Sequence, residues 1–281
     1  MKNQNLKRSS VIALSALLVL GITEATSYAS SVTASAQMSW ASLTITGTGS
    51  ATVYNPTPTT WTSSWSRAGT FDQWTIPSDV YDVSDFQTTG IVATIAESEI
   101  GTSSPLSAYA LAKTDTVSGQ KNIIATASAF ATNYEDYSAI ATAQRDRYYQ
   151  VTGSGSLIFS IDYTLDDITI DASDGYGWAD ILAFTNLTRY NATTEKWDNI
   201  TAGFVTQEKV SGLIEFDDYI YGPQSGTIAF TYAATAGQYL HFGAGVKVKA
   251  SAASAVPVPG AVWLLGSGLL GLISIRRKSA K

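Results

Sequence analysis

The chain contains no cysteine and only one histidine, His241, among its 281 residues. Without cysteine it can form no disulfide, no thiol nucleophile and no cysteine-ligated metal site. A single histidine likewise excludes metal centres that need several histidine ligands. We therefore expect a fold that is stabilised by its hydrophobic core alone.

Basic residues are scarce in the central part of the chain. Residues 30–255 hold 10 of the 17 lysines and arginines but 22 of the 23 aspartates and glutamates, which gives this segment a formal charge of −12. A surface of that charge repels phosphate backbones and anionic lipid headgroups. The composition therefore argues against a nucleic-acid partner and against docking on an anionic membrane.

The single histidine does not indicate a hydrolase. In the stretch YLHFGAGVKVKA, His241 alternates with apolar residues, so it falls on the polar face of a predicted strand. A catalytic histidine needs a nucleophile and an orienting acid nearby. We predict a solvated surface histidine and no catalytic set of serine, histidine and aspartate.

The N-terminus has the three parts of a secretory signal peptide. Lysine and arginine occur before residue 9, an apolar core runs from Val11 to Gly21, and Ser27 and Ala29 are small residues at the −3 and −1 positions of a cleavage site. The apolar core is too short to favour the alternative, an uncleaved membrane anchor. We predict cleavage after Ala29, with residues 1–29 as the signal peptide and Ser30 as the first mature residue.

The C-terminus carries a second apolar segment. The residues from Gly260 to Ile275 are uncharged, and Pro257-Val258-Pro259 precedes them. As a helix this segment would be about 24 Å long, slightly shorter than a comfortable membrane span. Arg276, Arg277 and Lys278 follow it directly, and the positive-inside rule places such a basic cluster in the cytoplasm. The central part of the chain would then lie on the far side of the membrane.

This tail resembles the PEP-CTERM sorting signal of exported bacterial proteins, which has a Pro-x-Pro motif, an apolar helix and a terminal basic cluster. The resemblance implies that an exosortase-type enzyme recognises Pro257, Val258 and Pro259 and removes the tail, so that the membrane anchor is transient. It also implies a place at the cell surface or in the extracellular matrix, in association with exopolysaccharide. The motif here reads Pro-Val-Pro where the family has Pro-Glu-Pro, and a retained anchor is the alternative.

A period of two residues dominates the body, residues 30–250. Apolar side chains recur at every second position of YLHFGAGVKVKA and GSLIFSIDYTL, which is typical of half-buried antiparallel strands. Turn residues such as Asn55-Pro56 and Gly222-Pro223 separate these runs. We predict an all-β body, an antiparallel β-sandwich that is jelly-roll-like. A small-residue linker and the sorting signal follow it in residues 251–281.

Alanine recurs at every second position from 125 to 131 and again from 139 to 143. Alternation of this kind places all members of a row on one face of a strand. We therefore predict that these small side chains lie under a closely packed layer or line a shallow face.

Three tryptophans, Trp61, Trp65 and Trp74, lie in the least strand-like part of the body, which extends from Asn55 to Trp74 and contains prolines. Because proline lacks the donor that a central strand needs, we expect a long surface loop here. Aromatic rings stack on sugar rings, so the three tryptophans are candidate glycan-binding residues. The alternative is that they fold back into the core.

Acidic residues are densest around the stretch DASDGYGWAD, where Asp171, Asp174 and Asp180 surround a glycine-rich turn. Carboxylates on loops are ligands that calcium prefers, so we consider a calcium site here, with ordinary acidic turns as the alternative. No other cofactor is indicated. Paired carboxylates could also hydrolyse glycosides, but only at particular separations.

Together these features predict an exported, non-catalytic protein of the cell surface or extracellular matrix, associated with exopolysaccharide or biofilm matrix. No constellation of catalytic residues is evident in the body. The alternative is a secreted carbohydrate-binding or carbohydrate-active protein, a lectin or a glycosidase, that uses loop aromatics and carboxylates.

Overall fold

The computed structural model describes residues 29–54, 64–72, 81–87, 93–101, 107–114, 122–132, 135–172, 175–212 and 223–254. None of these residues forms a helix, so none lies in a helix that could cross a membrane. The strands in these ranges follow one another in chain order: β1 (Ala29–Gly47), β2 (Ser50–Val53), β3 (Ser64–Phe71), β4 (Val83–Gln87), β5 (Thr94–Ile100), β6 (Ala108–Thr114), β7 (Asn122–Thr132), β8 (Asp136–Gly153), β9 (Gly155–Leu165), β10 (Thr169–Asp171), β11 (Gly175–Asn191), β12 (Lys196–Gly212), β13 (Gln224–Ala234) and β14 (Tyr239–Ser254).

The strands form two antiparallel sheets, which we call the back sheet and the front sheet. The back sheet has the order β13-β9-β1-β7-β6-β5, with β10 paired to β1. The front sheet has the order β12-β11-β14-β8-β3-β4, with β2 paired to β8. Cα atoms of β1 lie within 8 Å of Cα atoms of β11 and β14, so the sheets pack face to face. The predicted all-β fold with antiparallel sheets is confirmed.

The strand β14 shows how the period of two residues builds the core. Leu240, Phe242, Val246 and Val248 are each 0% exposed, because they point between the two sheets. The polar residues between them face the outside of the front sheet and stay partly exposed. The alternation that the sequence predicted in this strand is therefore confirmed.

The two alanine rows meet in the interior of the sandwich. The alanines of β7 at positions 125 to 131 and those of β8 at positions 139 to 143 are at most 2% exposed. Because an alanine side chain ends at Cβ, the backbones of facing strands can approach closely, and Cα atoms of β7 come within 8 Å of Cα atoms of β14. Packed sheets are usually about 10 Å apart. The predicted closely packed layer is confirmed.

Large rings fill another part of the core. Phe159 of the back sheet stacks on Phe242 of the front sheet, with ring centroids 5.4 Å apart. Trp40 lies 6.0 Å from Phe242, and the guanidinium group of Arg147 lies 5.7 Å from the Trp40 ring. A cation over an indole face is stabilised by the ring quadrupole. This contact helps an inward-pointing arginine to sit between the sheets.

The strand β3 corrects the expectation of a long loop from Asn55 to Trp74. It is hydrogen-bonded to β8 on one side and to β4 on the other, so it is an interior strand. The prolines that suggested a loop, at positions 56, 58 and 77, all fall outside β3 and remove no donor from its ladders. Trp65 therefore lies in an interior strand, whereas Trp61 and Trp74 lie outside the described residues.

The predicted terminal signals fall almost entirely outside the described residues, including the motif Pro257–Pro259. Ala29, the residue predicted to precede signal cleavage, is the first residue of β1 and pairs with Thr132. The Ser30 hydroxyl donates a hydrogen bond to the carbonyl oxygen of Ala253 at 3.0 Å. The predicted first mature residue therefore belongs to the back sheet.

Candidate functional site

The two outer faces of the sandwich differ in aromatic content. Among the described residues, the outer face of the back sheet presents Tyr109 and Phe130. The outer face of the front sheet presents a larger set, none of it fully buried: Tyr54, Tyr148, Tyr176, Trp178, Phe184, Tyr190, Trp197, Phe204, Tyr239 and His241. Phe204 is 69% exposed. Aromatic side chains are thus concentrated on one side of the protein.

Six of these side chains meet where β14 begins and β11 ends, and we call them the aromatic cluster: Tyr54, Tyr148, Tyr190, Trp197, Tyr239 and His241. The centroid of the Trp197 ring lies 5.2 Å from that of the Tyr148 ring and 5.5 Å from that of the Tyr190 ring. Tyr54 and Tyr239 are 4.6 Å apart. These separations lie in the range that favours aromatic pairing, so Tyr54 and Tyr239 form a pair beside the other four packed rings.

The rings of the cluster lie across the sheet. Trp197 belongs to β12 and Tyr148 to β8, and the strands β11 and β14 lie between them. Three strand spacings amount to about 14 Å, yet the two rings approach to 5.2 Å. They must therefore lean toward each other over the intervening strands.

The hairpin between β11 and β12 holds Tyr190 directly opposite Trp197. Oδ1 of Asn191 accepts hydrogen bonds from backbone N–H groups of the turn, and its Nδ2 donates to Asp198 at 2.9 Å. Glu195 ends the turn with φ 53°, in the left-handed region that few non-glycine residues adopt. This turn fixes the pairing that brings Trp197 to the cluster.

His241 is largely covered by its neighbours in the aromatic cluster. Its ring stacks on Tyr148 at 4.3 Å, its Nε2 lies 3.3 Å from Asp146 Oδ1, and its side chain is 19% exposed. His241 therefore lies on the outer face of its strand, as predicted, but its ring is less exposed to solvent than expected. Rings from neighbouring strands cover this part of the polar face, which alternation within one strand cannot reveal.

Two glycines of β14 make room for side chains that lie across the front face. A Cβ atom at Gly243 would fall 2.1 Å from Asn186 Oδ1 and 2.5 Å from Asp146 Oδ1. A Cβ atom at Gly245 would fall 2.5 Å from the ring of Phe184. Between its histidine and its first lysine, β14 therefore contributes no outward side chain, and side chains of the neighbouring strands cover it.

Two tyrosines of the cluster, Tyr54 and Tyr148, have raised pKa values. Burial raises the pKa of Tyr148, and the nearby carboxylate of Asp146 raises it further. Partial desolvation, followed by the neighbouring Tyr239, raises the pKa of Tyr54. Since the ordinary pKa of tyrosine is about 10, both hydroxyl groups keep their protons throughout the neutral range.

Of the three predicted calcium ligands, the structure describes Asp171 and Asp180 and places them in different sheets. Asp171 ends β10 and lies opposite Ser31 in the back sheet. Asp180 lies opposite Lys249 in the front sheet, and Asp174 lies outside the described residues. No group of three or more histidine, cysteine or acidic side chains that could hold a metal ion occurs in the part of the chain that the structure describes.

No protein-family model matches the chain, and no similar protein was found among the curated proteins or the solved structures. The class of the protein is therefore defined by its fold and by the composition of its outer faces. It is an all-β protein of two antiparallel sheets in which one outer face is rich in aromatic residues.

Proposed function

We propose that the protein is an exported, non-catalytic component of the cell surface or extracellular matrix that binds exopolysaccharide through the outer face of its front sheet. The observation that carries the proposal is the aromatic cluster, whose rings lie across the sheet and remain partly exposed. This face replaces the predicted loop tryptophans as the main candidate for glycan contact.

Aromatic rings are suited to sugars because a sugar ring has an apolar face, which can stack on them, and a polar edge. Tyrosine and tryptophan add a polar atom at the rim of the ring, which can form hydrogen bonds with sugar hydroxyls. Rings that are already packed against one another lose little conformational freedom when a ligand binds. Small-molecule sites are usually concave, whereas an open sheet face can accept a chain that continues at both ends.

The predicted sorting signals place this binding activity outside the cell. The N-terminal signal and the PEP-CTERM-like tail would export the protein and deliver it to an exosortase-type enzyme. An exopolysaccharide is the glycan that such a protein meets there. We further infer a jelly-roll-like body, because the chain crosses between the two sheets several times, as it does in Greek-key sandwiches.

The alternative, a secreted glycosidase or other hydrolase, rests on one observation. Thr188 Oγ1 lies 3.4 Å from His241 Nδ1, and Asp146 lies on the other side of the ring, so the imidazole stands between a hydroxyl and a carboxylate as in hydrolytic triads. The contact from the hydroxyl to the imidazole, at 3.4 Å, is long for activating a nucleophile. Binding without hydrolysis is therefore better supported.

One experiment separates the two functions. Mature protein isolated from its native host is applied to immobilised host exopolysaccharide, and the reducing sugar released is measured on the same samples. We expect retention without sugar release, and a heat-denatured sample is the control. Retention accompanied by sugar release would favour the hydrolase, and no retention would contradict glycan binding. The intact mass of the isolated protein also reports whether the residues after Pro259 have been removed.

A further inference from the structure

The lysine at the centre of the front face lacks an ion-pair partner among the described residues. Lys247 is half-buried on the outer face of β14, and its register neighbours are Leu182 on β11 and Thr142 on β8. Ion pairs elsewhere on the front sheet join Arg189 to Asp198 and His241 to Asp146. The nearest carboxylate in register, Asp180, lies opposite Lys249 instead.

The residue Lys247 is half-buried beside uncharged register neighbours, and no described carboxylate pairs with its ammonium group. The body carries a formal charge of −12, so carboxylates are abundant elsewhere on the protein. An anionic group on a ligand would supply the missing charge.

Lys247 and the aromatic cluster lie on one continuous strip. Lys247 and His241 share the outer face of β14 and are six residues apart, a distance of about 20 Å along a strand. The outward positions between them are Gly243 and Gly245, over which neighbouring side chains lie. Lys249 extends the strip, with its ammonium group 5.9 Å from the ring of Trp178.

We propose that the front face binds an anionic, uronic-acid-containing polysaccharide along β14. Sugar rings stack on the aromatic cluster, and a carboxylate of a sugar further along the chain pairs with Lys247, with Lys249 next to it. This inference rests on the proposed function and specifies its ligand class. Uronic acids supply both a sugar ring that can stack on the aromatic cluster and a carboxylate that can pair with a lysine.

The test compares two ligands that differ in charge alone. Purified full-length protein is titrated with polygalacturonate and with its methyl ester, which keeps the sugar rings but removes the carboxylate charge. We expect the acid to bind about tenfold or more tightly than the ester, as for a charged hydrogen bond that is gained or lost. We also expect this preference to weaken with added salt, because the site is partly exposed.

Substitutions at Lys247 test whether this lysine causes the preference for the acid over the ester. Lys247→Gln should remove most of the preference for the acid, Lys247→Arg should keep it, and Lys113→Gln on the back sheet should leave it unchanged. Equal binding of acid and ester by the unmodified protein would overturn this inference while leaving glycan binding in place. Binding of neither ligand would overturn both, and binding to single-stranded DNA as tight as to polygalacturonate would show a general polyanion site instead.

Discussion

Replacing Trp197 with alanine is expected to weaken polysaccharide binding by about tenfold or more, which is the usual effect of removing a central aromatic side chain from a binding surface. Trp197 contacts Tyr148, Tyr190 and His241. Its loss therefore removes one stacking surface and leaves its neighbours less firmly positioned. Titration of the purified protein with host exopolysaccharide measures the change.

Two controls distinguish lost contact from lost folding. Tyr109→Ala removes a partly exposed ring from the outer face of the back sheet and should leave binding unchanged. Trp197→Phe keeps an aromatic face and should retain part of the affinity. If Trp197→Ala binds as tightly as the unmodified protein while its melting temperature is unchanged, the aromatic cluster is not the binding surface.

Replacing Ala127 with leucine is expected to lower the free energy of unfolding by about 1–3 kcal/mol or more, because extra methyl groups would be forced into a filled interior. Ala127 is 0% exposed and belongs to the alanine row of β7. The strand β7 approaches β14 to within 8 Å between Cα atoms, so a longer side chain must push the sheets apart. Chemical denaturation measures the loss.

The matched control makes the same substitution on the surface. Ala229 lies in β13 with its side chain exposed, and Ala229→Leu should change the free energy of unfolding by no more than about 0.5 kcal/mol. Equal effects of the two substitutions would show that the interior between the alanine rows has room for larger side chains. The close approach of the two sheets would then not depend on alanine.

The sequence predicted burial well wherever the pattern within a single strand determines which of its side chains are buried. In β14, the alternation of residues such as Phe242 and Val246 with polar residues specifies which side chains are buried, because a strand places successive residues on opposite faces. The alanine rows follow the same rule. Both features could be predicted without knowing which strands are neighbours.

The aromatic cluster could not be predicted from such patterns, because it depends on the order of strands. Tyr148 and Trp197 are far apart in sequence, and β11 and β14 separate their strands. Their rings meet because both lean over these two strands. One local signal was available. The polar turn between Tyr190 and Trp197 resembles a hairpin turn, and recognising it would have paired these two rings.

The prediction of a long loop before Trp74 was wrong because the prolines of this segment flank β3, which begins after Pro58 and ends before Pro77. The calcium site stays a prediction. Asp171 and Asp180 are close in sequence, but β10 joins the back sheet and β11 the front sheet. Alternation within a strand does not reveal which sheet that strand joins.

Footprinting of the aromatic side chains by hydroxyl radicals, with and without host exopolysaccharide, tests most directly whether the outer face of the front sheet binds the glycan. Mass spectrometry reports the oxidation of each ring. We predict that the polysaccharide protects Tyr148, Tyr190 and Trp197, while Tyr109 and Phe130 on the back sheet are oxidised as before. Protection of the back-sheet rings with unchanged oxidation of the front-sheet rings would contradict the proposed binding face.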